Sequence, residues 1–242
     1  MSLMSCWRGT VGLIKPNFRP GSTEDLIRML PDGIGVIPLH IGIDKGTRTQ
    51  FEASLDDYEK MVALLADLEA DIIHPAGSPP FQILGYHGEQ ELIGRWERKY
   101  GRPVFTNGMT QVNAFRALKV NKIVGASYFP AELNASFATY FEEAGIDVLE
   151  MRGVDVSFDK VQTLASTEIY RMLKGMFLAH PGAEGIYILG PAWRTLDIIE
   201  LLEQDLGVPV VHHLPAQAWE IQKRLNVRQP GQNLGRLLRE MP

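Results

Sequence analysis

Two textures alternate along the chain. Short runs rich in apolar and β-branched residues, such as IGVIPL at 34–39, KIVGAS at 122–127 and GIYIL at 185–189, are followed by longer stretches with apolar positions three or four apart. The first texture suits buried strands and the second suits helices with one buried face. The pattern predicts strands over 10–15, 34–39, 71–75, 103–106, 122–127, 146–150, 185–189 and 208–212. It predicts helices over 55–69, 88–100, 109–118, 130–144, 159–179, 195–205 and 216–225, with further helices in the gaps.

The alternation also repeats on a larger scale. ADIIHPAGSPP, a helix, YGRPVFTN and a helix opening at GMTQVNAFRAL are matched by EGIYILGPAWR, a helix, LGVPVVHH and a helix opening at LPAQAWEIQKRL. A supersecondary unit written twice implies duplication of the fold. The expected architecture is therefore α/β, in two pseudosymmetric lobes, each a parallel sheet flanked by helices, with a ligand cleft between them. The first lobe is expected to take residues 1–119 plus 215–242, the latter as returning C-terminal helices, and the second 120–214. Ligands of open α/β sheets bind beyond the carboxyl ends of the strands, so the turns at 76–80 and 190–194 become the places to seek chemistry.

Composition narrows the function. Among 242 residues, 24 basic and 29 acidic side chains leave a net charge of −5 with no long block of one sign, which argues against nucleic acid as a partner. IGVIPLHIGI at 34–43 is interrupted by Pro38 and His40 and falls short of the roughly 20 residues that span a bilayer, so no membrane partner is expected. The N-terminal MSLMSCWRG has no apolar stretch of signal-peptide length and reads as an appended Met-Ser ahead of Met4, so a cytoplasmic location is expected. Cys6 is the single cysteine, which excludes an internal disulfide and a multi-cysteine metal site. The six histidines have no zinc spacing, His212 and His213 being adjacent and opposed if extended. Neither metal nor cofactor is expected. Homo-oligomerisation is left open.

Four strand ends carry candidate chemistry. In KPNFRPGS, Asn17 offers an amide and Arg19 a guanidinium, or the segment is simply a turn built by Pro16, Pro20 and Gly21. In HPAGSPPF, Gly77 allows close approach to the backbone, Ser78 offers a hydroxyl, and the amides of both can face an anion. Pro79 and Pro80 stiffen that loop. His74 is either a hydrogen-bonded core residue or an acid and base. In GASYFPAELN, Tyr128 precedes a helix start at Pro130 and could donate to a carboxylate, or it caps a core edge. In YILGPAWR, Gly190 removes a side chain where a reactive group could stand, Trp193 could wall a pocket and Arg194 hold a carboxylate. The plain alternative makes Trp193 core and Arg194 solvated. VVHHLP adds His212 and His213, one expected to face a cleft and the other the core or a neighbouring helix. Ser78 as a hydrolase nucleophile is disfavoured, because Pro79 follows it and the flanks of a nucleophile elbow are missing.

With these pieces in order, the chain resembles the aspartate/glutamate/hydantoin racemase superfamily, in particular its arylmalonate decarboxylase and maleate isomerase branch. The resemblance runs nearly the full length, through GLIKPN, AGSPP, FRALKVNKIVGASYF and GIYILG…TLDIIELLEQDLGVPVV. It implies two pseudosymmetric α/β lobes and, in the racemases, one cysteine from each lobe acting as acid and base. Those cysteines would fall at Gly77 and Gly190, so both usual cysteines are lacking. The decarboxylase branch keeps the second cysteine to protonate an enediolate, with hydroxyls and amides near the first turn holding the anion. Ser78 and Tyr128 match two of those holders, and Pro79 replaces a further hydroxyl-bearing residue.

The resemblance thus implies a cofactor-independent decarboxylase (lyase) or isomerase acting on a small carboxylate or dicarboxylate through an enediolate-like anion, without cysteine. Ser78, Tyr128 and the amides around Gly77 and Gly190 would hold the anion, Asn17 and Arg194 would orient the carboxylate, and one of His212, His213 or His74 would supply the proton. The alternative is a non-catalytic or regulatory relative that still binds a small acid.

Overall fold

A computed structural model of the chain describes residues 6–154, 156 and 160–242. The expected Met-Ser leader and the first residue of the helix predicted at 159–179 lie outside the described residues. In chain order the elements are β1 (Gly9–Lys15), α1 (Ser22–Met29), β2 (Ile34–His40), α2 (Arg48–Ala53), α3 (Leu55–Asp67), β3 (Ile72–Pro75), α4 (Pro79–Gln82), α5 (Gly85–Tyr100) and α6 (Asn107–Ala117). They continue as β4 (Lys122–Ser127), α7 (Ala131–Glu143), β5 (Asp147–Gly153), α8 (Ser166–Ala179), β6 (Gly185–Ile188), α9 (Ile199–Leu206), β7 (Val210–His212), α10 (His213–Arg224) and α11 (Arg236–Glu240). Among the described residues, no helix is long and apolar enough to cross a membrane.

The chain divides into two compact units, 1–110 with 220–229, and 111–219 with 230–242. In the first unit the sheet order is β2-β1-β3, all parallel, extended by a single parallel bridge from Ile73 to Val104. In the second unit the order is β5-β4-β6-β7, again parallel. The two orders correspond element for element, as the duplicated sequence requires. The strand predicted at 103–106 is reduced to that bridge, in which Ile73 N–H donates to Pro103 O at 2.9 Å and Phe105 N–H to Ile73 O at 3.1 Å.

The inner strands of each sheet are buried on both faces, as in parallel sheets flanked by helices, while the edge strands β2 and β5 stay partly exposed. In the first unit Val11, Leu13 and Ile14 of β1 are buried with Tyr58, Val62 and Leu65 of α3, Phe81 of α4 and Trp96 of α5. In the second, Phe115 packs edge-on to Phe141 and Tyr187, and the Tyr187 hydroxyl donates to Gln111 at 2.8 Å. Residues 111–119 therefore cluster with the second unit, not with the first as the sequence pattern suggested. Residues 215–219 and 230–242 do so too. The buried Glu203 carboxylate accepts the Val210 N–H at 2.9 Å and the Arg236 N–H at 2.8 Å, tying α11 to β7.

Candidate active site

In the first unit β1 and β3 lie side by side, and the Ala76 N–H donates to Ile14 O at 2.8 Å just beyond the last pair. Their carboxyl ends therefore deliver the 16–21 loop and the 76–80 turn to the same end of the sheet. Gly77 has φ +105, in the left-handed region that favours glycine. A Cβ there would come 2.9 Å from the Tyr58 hydroxyl oxygen and 3.2 Å from Pro16 Cγ. Tyr58 is fixed in that place, for it is fully buried and donates to Ala76 O at 2.6 Å, and burial drives its pKa well above the ordinary tyrosine range.

The Gly77 N–H donates to Asn107 Oδ1 at 2.9 Å, so this amide is already satisfied in the folded chain. That departs from the expectation that it faces an anion. Ser78 is buried and precedes α4, its carbonyl accepting the amides of Phe81 and Gln82. Asn17 Oδ1 accepts the Arg19 N–H at 3.1 Å, a local bond of the kind that builds a turn.

One residue here escaped sequence reasoning. Lys15, the last residue of β1, is only 6% exposed, and its Nζ donates to the Arg19 carbonyl oxygen. Burial pulls its pKa below the ordinary lysine range, partly offset by Glu24. Asn107 was also missed. It stands in the first copy of the repeat where His213 stands in the second, when PVFTN is laid on PVVHH.

The second unit repeats the arrangement with different contents. The Leu189 N–H donates to Ala126 O at 2.9 Å, the counterpart of the Ala76 bond, and delivers Gly190 with φ +111. The space a side chain would need at 190 is filled by the Tyr128 ring, whose Cε1 and Cζ stand closest. Tyr128 is buried and meets Trp193 edge-on, with ring centroids 5.6 Å apart at 85°. Its backbone is held by a local network. Ser127 Oγ donates to Asn134 Oδ1 at 2.6 Å and accepts the Phe129 N–H at 2.9 Å, and Asn134 Nδ2 donates to Phe129 O at 2.7 Å. Trp193 is buried, whereas Arg194 is exposed and opens no helix. A 3-10 turn at Leu196–Ile198 leads into α9.

The histidines divide clearly. His74 is fully buried and stacked on Phe105 at 4.5 Å, and its Nδ1 lies 2.7 Å from Phe105 O, so Nδ1 carries the proton and donates. Burial lowers its pKa to about 4. His212 accepts the Leu214 N–H on Nδ1 at 3.2 Å, which leaves Nε2 to donate to Thr195 Oγ1 at 3.0 Å. Burial lowers its pKa to about 3. Both rings are neutral near pH 7 with at least one nitrogen committed to the fold, which suits core histidines better than proton donors. His213, the first residue of α10, is buried with its ring centroid 4.7 Å from that of His212.

Cys6 lies at the other end of the first sheet from the 76–80 turn. Its side chain packs against Gly35, the second residue of β2, which pairs with Thr10 near the start of β1. The 7 residues of β1, about 20 Å of extended chain, separate that end from the 76–80 turn.

Paired parallel sheets with glycine turns at equivalent strand ends agree with comparison to known proteins. The family model of arylmalonate decarboxylase matches residues 11–238. The chain belongs to the arylmalonate decarboxylase family. The arylmalonate decarboxylase of Bordetella bronchiseptica is 23% identical over 212 residues, 87% of this chain and 88% of that protein. A crystal structure of arylmalonate decarboxylase superposes with a TM-score of 0.83 at 22% identity, over 96% of this chain and 99% of that one. A Nocardia farcinica maleate cis-trans isomerase mutant, which carries a covalently bound succinylcysteine intermediate, superposes with a TM-score of 0.87 at 17% identity, over 96% of this chain and 98% of that one. The decarboxylase family fold is thus kept over the whole comparison.

Proposed function

We propose that this chain is a cofactor-independent decarboxylase or isomerase of a small carboxylate or dicarboxylate, working through an enediolate-like anion without any thiol. The observation that carries this reading is the state of the two strand-end glycines. Each is left-handed, and at each the room for a side chain is taken by a tyrosine, Tyr58 against Gly77 and Tyr128 against Gly190. The place of Cys6 at the amino end of the first sheet, away from the 76–80 turn, supports the same reading. These features support a reading in which the chemistry runs on hydroxyls, amides and nitrogen acids.

In this reading Ser78 and the amide of Asn17 hold the carboxylate in the first unit. In the second, Tyr128, the backbone at Gly190, Trp193, Arg194 and His213 are the candidates, while His74 and His212 each spend ring nitrogens on hydrogen bonds within the fold. Neutralising the developing anion with hydroxyl donors in a water-poor site is what lowers the barrier to losing carbon dioxide or rotating about the former double bond.

The experiment is a panel of malonate, aryl-malonates and maleate, scored separately for turnover and for binding by calorimetry. Turnover of at least one member is expected. Ser78→Ala and Tyr128→Phe should each cost about 1.5 to 3 kcal/mol of carboxylate affinity, the range for one charge-assisted hydrogen bond, at nearly unchanged melting temperature. Binding of the acids with no turnover would make the chain a small-acid-binding relative. Lost stability with unchanged affinity would make both hydroxyls structural.

A further inference from the structure

Lys15 is a buried titratable group with no part in the chemistry proposed so far. A lysine that ends the central strand of a parallel sheet faces a strong desolvation penalty, met in most folds by a carboxylate partner. Here the ammonium is 6% exposed, its hydrogen bond goes to a neutral carbonyl, that of Arg19, and among the described residues no carboxylate stands within ion-pair distance. Glu24 acts on it only at longer range and is itself occupied, accepting the Gly21 N–H at 2.8 Å. The other titratable neighbour is His40, the register partner of Lys15 on β2, whose pKa is lowered by its own burial and by the ammonium.

Lys15 stands at the carboxyl end of β1, the end of the sheet that also carries the first turn. Ala76 bonds to Ile14, one residue before Lys15, and Pro16, one residue after it, touches the space above Gly77. Arg19 is gripped at both ends of its backbone, its N–H by Asn17 and its carbonyl by Lys15, so the 16–19 segment curls around the ammonium. The Pro16 carbonyl in turn accepts the amides of Gly42 and Ile43, at 3.1 and 2.6 Å, pinning the start of that segment to the end of β2.

We propose that Lys15 is the proton donor of the first-unit site, and that the anion it lacks in the folded chain is the substrate carboxylate, which replaces the Arg19 carbonyl as its acceptor. This rests on the decarboxylase or isomerase reading. For a malonate-type substrate, the bond from the α-carbon to one carboxylate breaks, its electron pair passes to the remaining carboxylate as an enediolate, and carbon dioxide leaves. The ammonium then gives one N–H proton to the α-carbon, which forms the monoacid and a neutral amine. Water reprotonates the amine, and the hydroxide left behind is taken up by carbon dioxide as bicarbonate. A lysine pushed below its ordinary range by burial is suited to this, since a donor works best when its pKa lies near the working pH.

The test compares wild type with Lys15→Arg and Lys15→Met on the malonate and aryl-malonate panel. Arginine keeps the charge and cannot release its proton, so Lys15→Arg should hold KM within a few-fold while kcat falls about 10²- to 10⁴-fold, the range for a lost general acid. Lys15→Met should lose both. The wild-type rate should fall on the alkaline side, at a pH below the ordinary lysine range, and that limb should vanish in the variants. Melting temperatures act as the folding control: Lys15→Met, which removes a buried charge, should melt no lower than wild type.

Turnover of both variants at the wild-type rate with the alkaline limb intact would overturn the role of Lys15 and leave the decarboxylase reading standing. If wild type turns over nothing, that reading falls instead, and deuterium exchange at the α-carbon of the matching monoacids decides Lys15. Exchange in wild type that is lost in Lys15→Arg supports it, and absence of exchange in wild type overturns it.

Discussion

The turns at 76–80 and 190–194 are copies of one device, and they have diverged in what surrounds the glycine. Both follow the central pair of a parallel sheet, and both are reached by the same cross-strand amide bond, Ala76 to Ile14 in one and Leu189 to Ala126 in the other. Around Gly77 the neighbours are polar and hydrogen-bonded. Asn107 takes the amide, the Tyr58 hydroxyl reaches over the glycine to Ala76 O, and Lys15 ends the adjacent strand. Around Gly190 the neighbours are aromatic, with Tyr128 in the side-chain space and Trp193 against it. Duplication thus preserved the backbone device and freed the two contents to change, which is how one fold can keep its strand ends while changing their chemistry.

The sharpest way to break this comparison is to put a side chain back. Gly190→Cys has to force a left-handed backbone and displace a whole buried ring. The two penalties, about 1 to 3 kcal/mol for the backbone and about 1 to 3 kcal/mol for overpacking, should together lower the melting temperature markedly. Tyr128→Ala in the same chain should return part of the loss, giving strong non-additivity in a double-mutant cycle. Gly77→Cys should cost less, because the nearest obstacle is a single hydroxyl oxygen, and Tyr58→Phe should relieve it. Equal losses with no rescue would show that the tyrosines do not define the two turns.

A smaller effect separates the neutral histidines. His74 and His212 are held below the ordinary value of 6.5, at about 4 and about 3, by burial. Between those values and 6.5 the unfolded chain binds more protons than the folded one, so stability is fully present above pH 6.5 and is lost as pH falls through that window. Each group contributes at most about 1.4 kcal/mol per pH unit there. Thermal melts from pH 7 to pH 4 should show this decline, and His212→Gln should flatten it. A decline of unchanged slope in that variant would mean His212 is not held neutral by the fold.

Much of this was legible in the residues. The duplicated unit predicted the correspondence of the two sheets, and β4 was expected at 122–127, as found. Long amphipathic helices such as α3 and α5 declared themselves by period. What was missed depends on distance in sequence. The bond from Thr195 to His212 spans 17 residues and that from Asn107 to Gly77 spans 30, and no local pattern announces either. Residues 220–229 cluster with the first unit as expected, but 230–242 do not, because nothing nearby indicated that Glu203 would capture Arg236. Lys15 was overlooked for a different reason. A lysine after GLI resembles the polar edge of a strand, and only the course of the 16–19 segment shows it to be enclosed. Its signal was the charge itself, placed where the strand should still have been apolar.

The central claim, that this family member works without a thiol, is most directly tested by assaying Cys6→Ser and iodoacetamide-treated wild type on whichever malonate or maleate the wild type turns over. Thiol-free chemistry leaves kcat and KM unchanged in both. Loss of turnover in the alkylated wild type, with Cys6→Ser inactive as well, would contradict it.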